Sequence, residues 1–293
     1  MANPISSQSL TPKNRQLTVT LLVPTLNEVE GMKAIMPLID RQWVDQVLVL
    51  DGGSTDGTLE YAQSQGYDIA LQERPGLING FRQVFKDIKN DVVITFSPDG
   101  NSLAEVVPDL VREMERGYDM VIASRYLGPA KSEDDTWFSG IGNWVFTALI
   151  NTLFGGKYTD AMVMYRAYKM SIVYDLGLMQ DRPFALENKL RHKTGLGLEP
   201  LLSMRAAKQK LKLSEVPGDE PARLGGVKKC RHFLYGSMYL LQMVQETFFW
   251  RLKTNPKPAH LSNSLKGRSG GQNHSKLSNE DPARVSPQFS ERA

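Results

Sequence analysis

Short apolar runs alternate with stretches of helical spacing through the first half of the chain. Thr18–Val23 is almost continuously apolar and stops at Pro24, the signature of a buried strand closed by a breaker. Val47–Leu50, a weaker Ile69–Leu71, Val92–Phe96 and Met120–Ala123 repeat the signal. Between the last two, Glu105–Arg116 places Val106, Leu110 and Met114 on one helical face. Strand–helix alternation of this kind predicts an α/β fold, a mostly parallel sheet with helices on both faces. In such sheets ligands sit beyond the carboxyl ends of the strands. Further on, Trp137–Leu153 predicts a helix and Lys210–Val216 alternates like a half-exposed strand. His232–Lys253 predicts a C-terminal helix rich in Phe, Tyr, Leu, Met and Trp. The expected organisation is a flexible N-terminus (1–16), one domain (17–231), an apolar helix (232–253) and a disordered tail (254–293) lacking apolar periodicity.

The chain of 293 residues is long enough to bury a substantial core. Its single cysteine, Cys230, excludes a disulfide framework and a cysteine-based zinc site, and suits a reducing compartment. Residues 1–16 lack the apolar core of a signal peptide, so a cytoplasmic protein is expected. A net charge of +3 argues against a strongly basic nucleic-acid binder. That figure hides an asymmetry. Residues 1–181 hold 15 basic and 23 acidic side chains, whereas 182–231 hold 12 basic and 5 acidic. The two segments therefore suit partners of different charge.

The strand ends carry the candidate chemistry. The first runs into Pro24-Thr25-Leu26-Asn27-Glu28, the second into Asp51-Gly52-Gly53-Ser54-Thr55-Asp56-Gly57-Thr58. The fourth runs into Ser97-Pro98-Asp99-Gly100-Asn101 and the fifth into Ser124-Arg125-Tyr126. Singly, Asn27, Ser54 or Asp56 reads as a helix cap and Gly53 or Gly57 as a turn residue. Together they point to one ligand site. Asp51 beside glycines suits a base or ribose, and Asp99 with Asn101 offers the hard oxygen ligands that Mg²⁺ or Mn²⁺ takes beside substrate phosphates. No GxGxxG or GxxxxGK[ST] motif supports a dinucleotide oxidoreductase or a P-loop enzyme, and no HExxH supports a zinc hydrolase.

Taken in order, PTLNE, DGGSTDGT, SPDGN and SRY resemble the family 2 glycosyltransferases of the GT-A (Rossmann-like) fold. The chain is most similar to their dolichyl- and polyprenyl-phosphate mannose synthase branch. The likeness continues through Thr159–Arg166 and reaches Glu215-Val216-Pro217 with Arg223, Gly226 and Lys228. It implies a nucleotide half over about 17–126 and an acceptor half over about 127–231. Pro24, Asn27, Glu28, Asp51, Gly53 and Asp99 would bind the nucleotide. Asp99 would be the metal ligand remaining from the family's DxD motif, helped by Asn101, since Ser97 stands where the first aspartate is expected. Arg125, Arg223 and Lys228 would bind acceptor or phosphate, and Asp160 and Arg166 would be catalytic, Asp160 as the base a hydroxyl acceptor needs.

The implied reaction is metal-dependent, inverting transfer of a sugar from a nucleotide-sugar donor to a polyprenyl phosphate or glycan acceptor. Thr136–Gly156, Phe233–Leu241 and Phe248-Phe249-Trp250 suit either a core helix pair, a dimer contact or peripheral contact with the inner face of a membrane. Two alternatives stand beside this reading: a nucleotidyltransferase on a related scaffold, and a catalytically silent GT-A binding module suggested by Ser97.

Overall fold

A computed structural model describes residues 15–179, 198–224, 232–248 and 257–258. Seven strands form one sheet: β1 (Val19–Thr25), β2 (Gln46–Asp51), β3 (Asp68–Leu71), β4 (Val92–Thr95), β5 (Met120–Ser124), β6 (Arg166–Lys169) and β7 (Leu213–Pro217). Their order is β3-β2-β1-β4-β6-β5-β7, and only β6 runs antiparallel to its neighbours. The mostly parallel sheet agrees with the pattern of apolar runs. The chain leaves β1 toward β2 on one side and returns to β4 on the other, which opens a crevice at that switch point.

Side-chain alternation assigns each strand residue to a face. Val19, Leu21, Val23, Val47, Val49, Val92 and Ile94 enter one core. It is covered by α1 (Val29–Ile35), α2 (Thr58–Ser64) and α4 (Val107–Glu115). Leu22, Leu48, Leu50, Val93 and Ile122 enter the other. There lie α3 (Leu77–Val84), α5 (Trp137–Phe154), α6 (Met170–Asp175), α7 (Glu199–Lys208) and α8 (His232–Phe248). Helices thus lie on both faces. Val106, Leu110 and Met114 are buried, as their spacing predicts.

Three boundaries differ from the sequence reading. β1 continues through Pro24 to Thr25, because its pairing with β2 runs to Asp51 and Pro24 merely lacks a donor there. β6 has no counterpart in the apolar pattern, since Arg166 and Lys169 end a strand of four residues. Helix α5 reaches Phe154, where left-handed Gly155 caps it. Within the segment expected to be a disordered tail, Lys257 forms an ion pair with Asp175 at 2.8 Å. Apart from Lys257 and Pro258 that tail lies outside the described residues, as do residues 1–14, Lys228 and Cys230.

Candidate active site

β1, β2, β4 and β5 point the same way, so the loops that follow them share one edge. The first two loops are stitched together. Asp51 Oδ1 accepts from the backbone N–H groups of Gly53 and Ser54, both at 2.8 Å. Its Oδ2 accepts from the hydroxyls of Thr25 at 3.0 Å and Ser54 at 2.5 Å. Asn27, held at φ 58°, accepts the Thr55 N–H on its Oδ1 at 2.8 Å and donates its own N–H to Ser54 Oγ at 2.9 Å. Gly53 sits at φ 98°, a conformation that favours glycine. Asp56 closes the arrangement by accepting from Val29 N and Thr58 N. Burial is the largest single influence and opposes its charge, but the Thr58 hydroxyl together with these backbone donors outweighs it and holds the carboxyl below the ordinary value.

Asp51 is engaged within the protein. Its side chain is fully buried and accepts from four donors of its own and the adjoining loop, so here it ties the two loops together. Pro24, Asn27, Glu28 and Gly53 are brought together around it, Pro24 opposite Leu50 in the ladder and Glu28 donating its N–H to Thr58 Oγ at 3.0 Å. The loop after β4 is locked against this group from below. A Cβ on Gly31 of α1 would lie 2.2 Å from the Pro98 carbonyl oxygen, so only glycine permits the approach.

On the other side of Pro98 lies an open cavity of about 140 Å³, lined by Ser97, Asp99, Asn101, Arg125, Glu220 and Arg223 among others. Asp99 is buried, accepts Asn101 N–H on Oδ1 at 3.1 Å and meets Arg223 Nη1 at 3.0 Å on Oδ2. Leu224 N–H donates to the Asp99 carbonyl at 2.9 Å, which pins the Arg223 segment over the loop. Two buried atoms beside this contact have no hydrogen-bond partner: Asn101 Oδ1 and Arg223 Nε. Asp134, which accepts from Asn101 Nδ2 at 3.3 Å and lies 3.9 Å from Arg223, completes the cluster.

The cavity wall beyond is a charge network. Arg125 Nε and Nη2 fork onto Asp160 at 2.6 and 3.1 Å, while Nη1 reaches Glu220 at 3.1 Å. Glu220 also accepts from Ser132 Oγ, and Tyr126 O–H donates to Asp135. Glu215 of β7 holds the backbone N–H groups of Thr159 and Asp160 from behind at 2.9–3.2 Å. Burial would push the Asp160 carboxyl up, but the Arg125 charge and its hydrogen bonds prevail, and the group stays below its ordinary range. Burial opposes the charge on Arg125, yet Asp160 and Glu220 keep it protonated.

Three of the expected site residues are engaged within the protein. Asp160 is fully buried, with both oxygens engaged by Arg125. Arg125 lines the cavity with its fork on the Asp160 and Glu220 carboxylates. Arg166 is fully buried under α7. It donates to the carbonyls of Val163 at 2.9 Å, Ala161 at 3.3 Å and Glu199 at 3.3 Å, and to Ser203 Oγ at 2.9 Å. As a β6 residue facing the helix layer, it holds the 161–165 loop, including Val163 of the cavity lining, without itself lining the cavity. Burial lowers its pKa. Arg223, with 29% of its side chain exposed, is the more open cation.

Asp134, Asp135, Asp219 and Glu220 are the site residues that sequence reasoning missed. Their only signal is density, an acidic run at 133–135 and another at 219–220, and a single bridge between Ser132 and Glu220 brings the two loops together. Asp99, Asp134, Asp135, Asp160, Asp219 and Glu220 surround two guanidinium groups, leaving a surplus of negative charge. Among the described residues no group of three or more His, Cys, Asp or Glu forms a ready-made metal cage. One buried carboxylate beside an unpartnered amide oxygen is, however, the kind of donor set that holds Mg²⁺ or Mn²⁺ jointly with substrate phosphates.

The profile of the family described as Glycosyl transferase family 2 matches residues 20–177. Glycosyltransferase AglJ of Haloferax volcanii is 28% identical over 200 residues, 68% of this chain and 61% of AglJ, so the match spans under two thirds of that relative. A dolichol-phosphate mannosyltransferase of Pyrococcus furiosus is 31% identical over 126 residues, 40% of this chain and 36% of that protein. Among solved structures, glucosyl-3-phosphoglycerate synthase from Mycobacterium tuberculosis, in complex with Mn²⁺, UDP and phosphoglyceric acid, matches with a TM-score of 0.55 at 19% identity, covering 80% of each chain. At that identity the likeness concerns architecture, and the architecture is GT-A.

Proposed function

The chain belongs to glycosyl transferase family 2, and from that premise we propose that it transfers a sugar from a nucleoside-diphosphate donor to an acceptor phosphate monoester by a single displacement with inversion. The observation that carries the acceptor half of this reading is the state of Asp160. With that carboxylate locked in the Arg125 fork, the residue expected to serve as base is unavailable. A phosphate acceptor is already anionic and needs none.

The nucleotide would lie over the Asn27–Ser54 loop pair, whose exposed glycines let the donor approach the backbone. A cavity of about 140 Å³ is below the usual range for a whole ligand, so it would receive only the reacting end. Asp99 and Asn101 Oδ1 would hold Mg²⁺ or Mn²⁺, taking over the contact that Arg223 makes with Asp99. Bound there, the ion would neutralise charge developing on the diphosphate. Arg223 would bind acceptor or leaving-group phosphate, and the Arg125 network would keep the wall rigid. An acceptor oxygen forms the new bond to the anomeric carbon as the bond to the donor diphosphate breaks, releasing a nucleoside diphosphate. The Pyrococcus relative's name supports a lipid phosphate as acceptor, and the Mycobacterium structure supports a UDP-sugar as donor.

A hydroxyl acceptor is a second reading, because Asp219 is exposed on the cavity wall and offers a carboxylate. The experiment is incubation of the full chain with a panel of sugar nucleotides and Mn²⁺, with polyprenyl phosphate or a free glycan as acceptor. Nucleoside diphosphate release that requires polyprenyl phosphate is the expected result. Release that requires the glycan selects the second reading. Pyrophosphate release would indicate a nucleotidyltransferase, and no release a silent module.

A further inference from the structure

Ser97 leaves the loop after β4 with a single anionic side chain, Asp99, facing the cavity. A divalent ion draws its affinity largely from the charge of its ligands, and a hydroxyl supplies none. Two buried atoms at this place have no partner: Asn101 Oδ1, an acceptor, and Arg223 Nε, a donor. They do not bond to each other. A cation suits the first and a phosphate oxygen the second, so together they suit a metal ion with its phosphate.

A second carboxylate reaches the same place from the loop before α5. Asn101 connects the two, its backbone N–H donating to Asp99 Oδ1 at 3.1 Å and its Nδ2 to Asp134 Oδ2 at 3.3 Å. Turning the amide over would set an acceptor against the Asp134 carboxylate, so Oδ1 is the atom left without a partner. Arg223 is shared by both acids, with Nη1 3.0 Å from Asp99 Oδ2 and Nη2 3.9 Å from Asp134 Oδ2. The longer contact is charge attraction without a hydrogen bond. Asp134 lies beside the cavity, across this guanidinium, with 20% of its side chain exposed and therefore open to an ion. Its loop is anchored in advance. Lys131 N–H donates to Asp219 Oδ1 and Glu133 N–H to the Glu220 carbonyl, both at 2.8 Å, and Thr136 caps α5. Anchoring of this kind holds a ligand side chain in position before anything binds.

We propose that Asp134 is a direct metal ligand, the second carboxylate of a divalent-ion site completed from two loops, and that Arg223 holds the cation's place until the ion binds. The inference rests on the metal and phosphate reading above and adds to it a charge that Ser97 does not supply. Asp99, Asp134 and Asn101 Oδ1 hold Mg²⁺ or Mn²⁺, and the displaced guanidinium turns to a phosphate, where Nε finds its acceptor. Among the described residues no three His, Cys, Asp or Glu side chains form a metal group. That agrees with a site of two carboxylates and one amide sharing its ion with a diphosphate. The rival role for Asp134, orienting Asn101 alone, needs an acceptor at this position but no charge.

The test is titration of the full chain with Mn²⁺, alone and with UDP or GDP, read by the electron paramagnetic resonance signal of the free ion. Asp134→Asn keeps an acceptor for Asn101 Nδ2 and removes only the charge. It should weaken Mn²⁺ binding about tenfold or more, with an unchanged thermal melt showing that the chain is folded. Glu133→Gln, which removes a neighbouring exposed charge, should bind as the parent does. Ser97→Asp added to Asp134→Asn should restore most of the loss, because it returns a carboxylate to the same ion. Arg223→Gln should tighten binding of Mn²⁺ alone, since a competing cation is gone. Undiminished binding by folded Asp134→Asn, an equal loss in Glu133→Gln, no rescue in a folded double variant, or weaker binding of Mn²⁺ alone by Arg223→Gln would each overturn the proposal. If Asp99→Ala loses the ion while Asp134→Asn keeps it, only the role of Asp134 falls. A parent chain that binds no Mn²⁺ under any of these conditions overturns the metal reading and Asp134 with it. Binding that needs Asp134 in a chain without sugar transfer upholds the site and sinks only the glycosyl-transfer reading.

Discussion

Asp51 ends β2 and Asp99 follows β4, two buried carboxylates at the same edge of the same sheet. Asp51 accepts from two backbone N–H groups and two hydroxyls, all from its own and the adjoining loop. Asp99 accepts one backbone N–H and meets one arginine, with two unpartnered polar atoms, Asn101 Oδ1 and Arg223 Nε, buried alongside. Buried polar groups are nearly always satisfied, and each exception costs about 1–3 kcal/mol. The first loop is therefore satisfied within the protein, whereas the second keeps two buried polar atoms without a protein partner. The sequence presents both as an aspartate followed by glycine, and only the count of donors separates scaffold from site.

The comparison breaks most visibly at Asp99. Asp99→Ala is expected to lower turnover of a sugar nucleotide by about 10²–10³-fold, the loss typical of removing one preorganised electrostatic group. Its thermal midpoint should stay close to that of the parent, because few contacts are lost. Near-normal turnover by a folded Asp99→Ala chain would remove this loop from the chemistry.

Asp51→Ala should behave in the opposite way. Four buried or half-buried donors lose their acceptor, and stability is expected to fall by about 2–4 kcal/mol, measured by denaturant unfolding. Residual turnover at low temperature should scale with the folded fraction. A stable Asp51→Ala chain with a selectively raised donor KM would return Asp51 to the nucleotide and collapse the contrast between the loops.

Why some of this was legible follows from particular residues. Strands β1, β2, β4 and β5 lie between helix layers on both faces, so their sequences are short, nearly continuous apolar runs bounded by polar loops. β6 is just as buried, yet its inward residue is Arg166, whose charge is absorbed by carbonyls and a serine hydroxyl. Composition reads such an arginine as exposed and functional. The strand ends read as a candidate site because Gly53, Asn27 and Asp99 are poor strand residues placed where strands must stop. The Arg125–Asp160–Glu220 network was not, since its members are 35 and 95 residues apart in sequence and carry no mutual spacing.

The smallest expected effect sharpens the comparison by assigning a third carboxylate to the scaffold class. Burial alone would raise the Asp160 pKa, but Arg125 holds it below the ordinary value of 3.8. A carboxyl depressed on folding adds stability at every pH above its unfolded value, near 4, and loses that stability as pH falls through its folded value. Arg125 stays protonated throughout, so it adds no inflection of its own. The stability difference between the parent and Asp160→Asn is therefore expected to be flat from about pH 8 to pH 5 and to shrink only below about pH 4. Denaturant unfolding of both chains across that range measures it. A difference that changes between about pH 6 and 8 would mean that Asp160 exchanges a proton where a general base works, and would place it with Asp99 instead of Asp51.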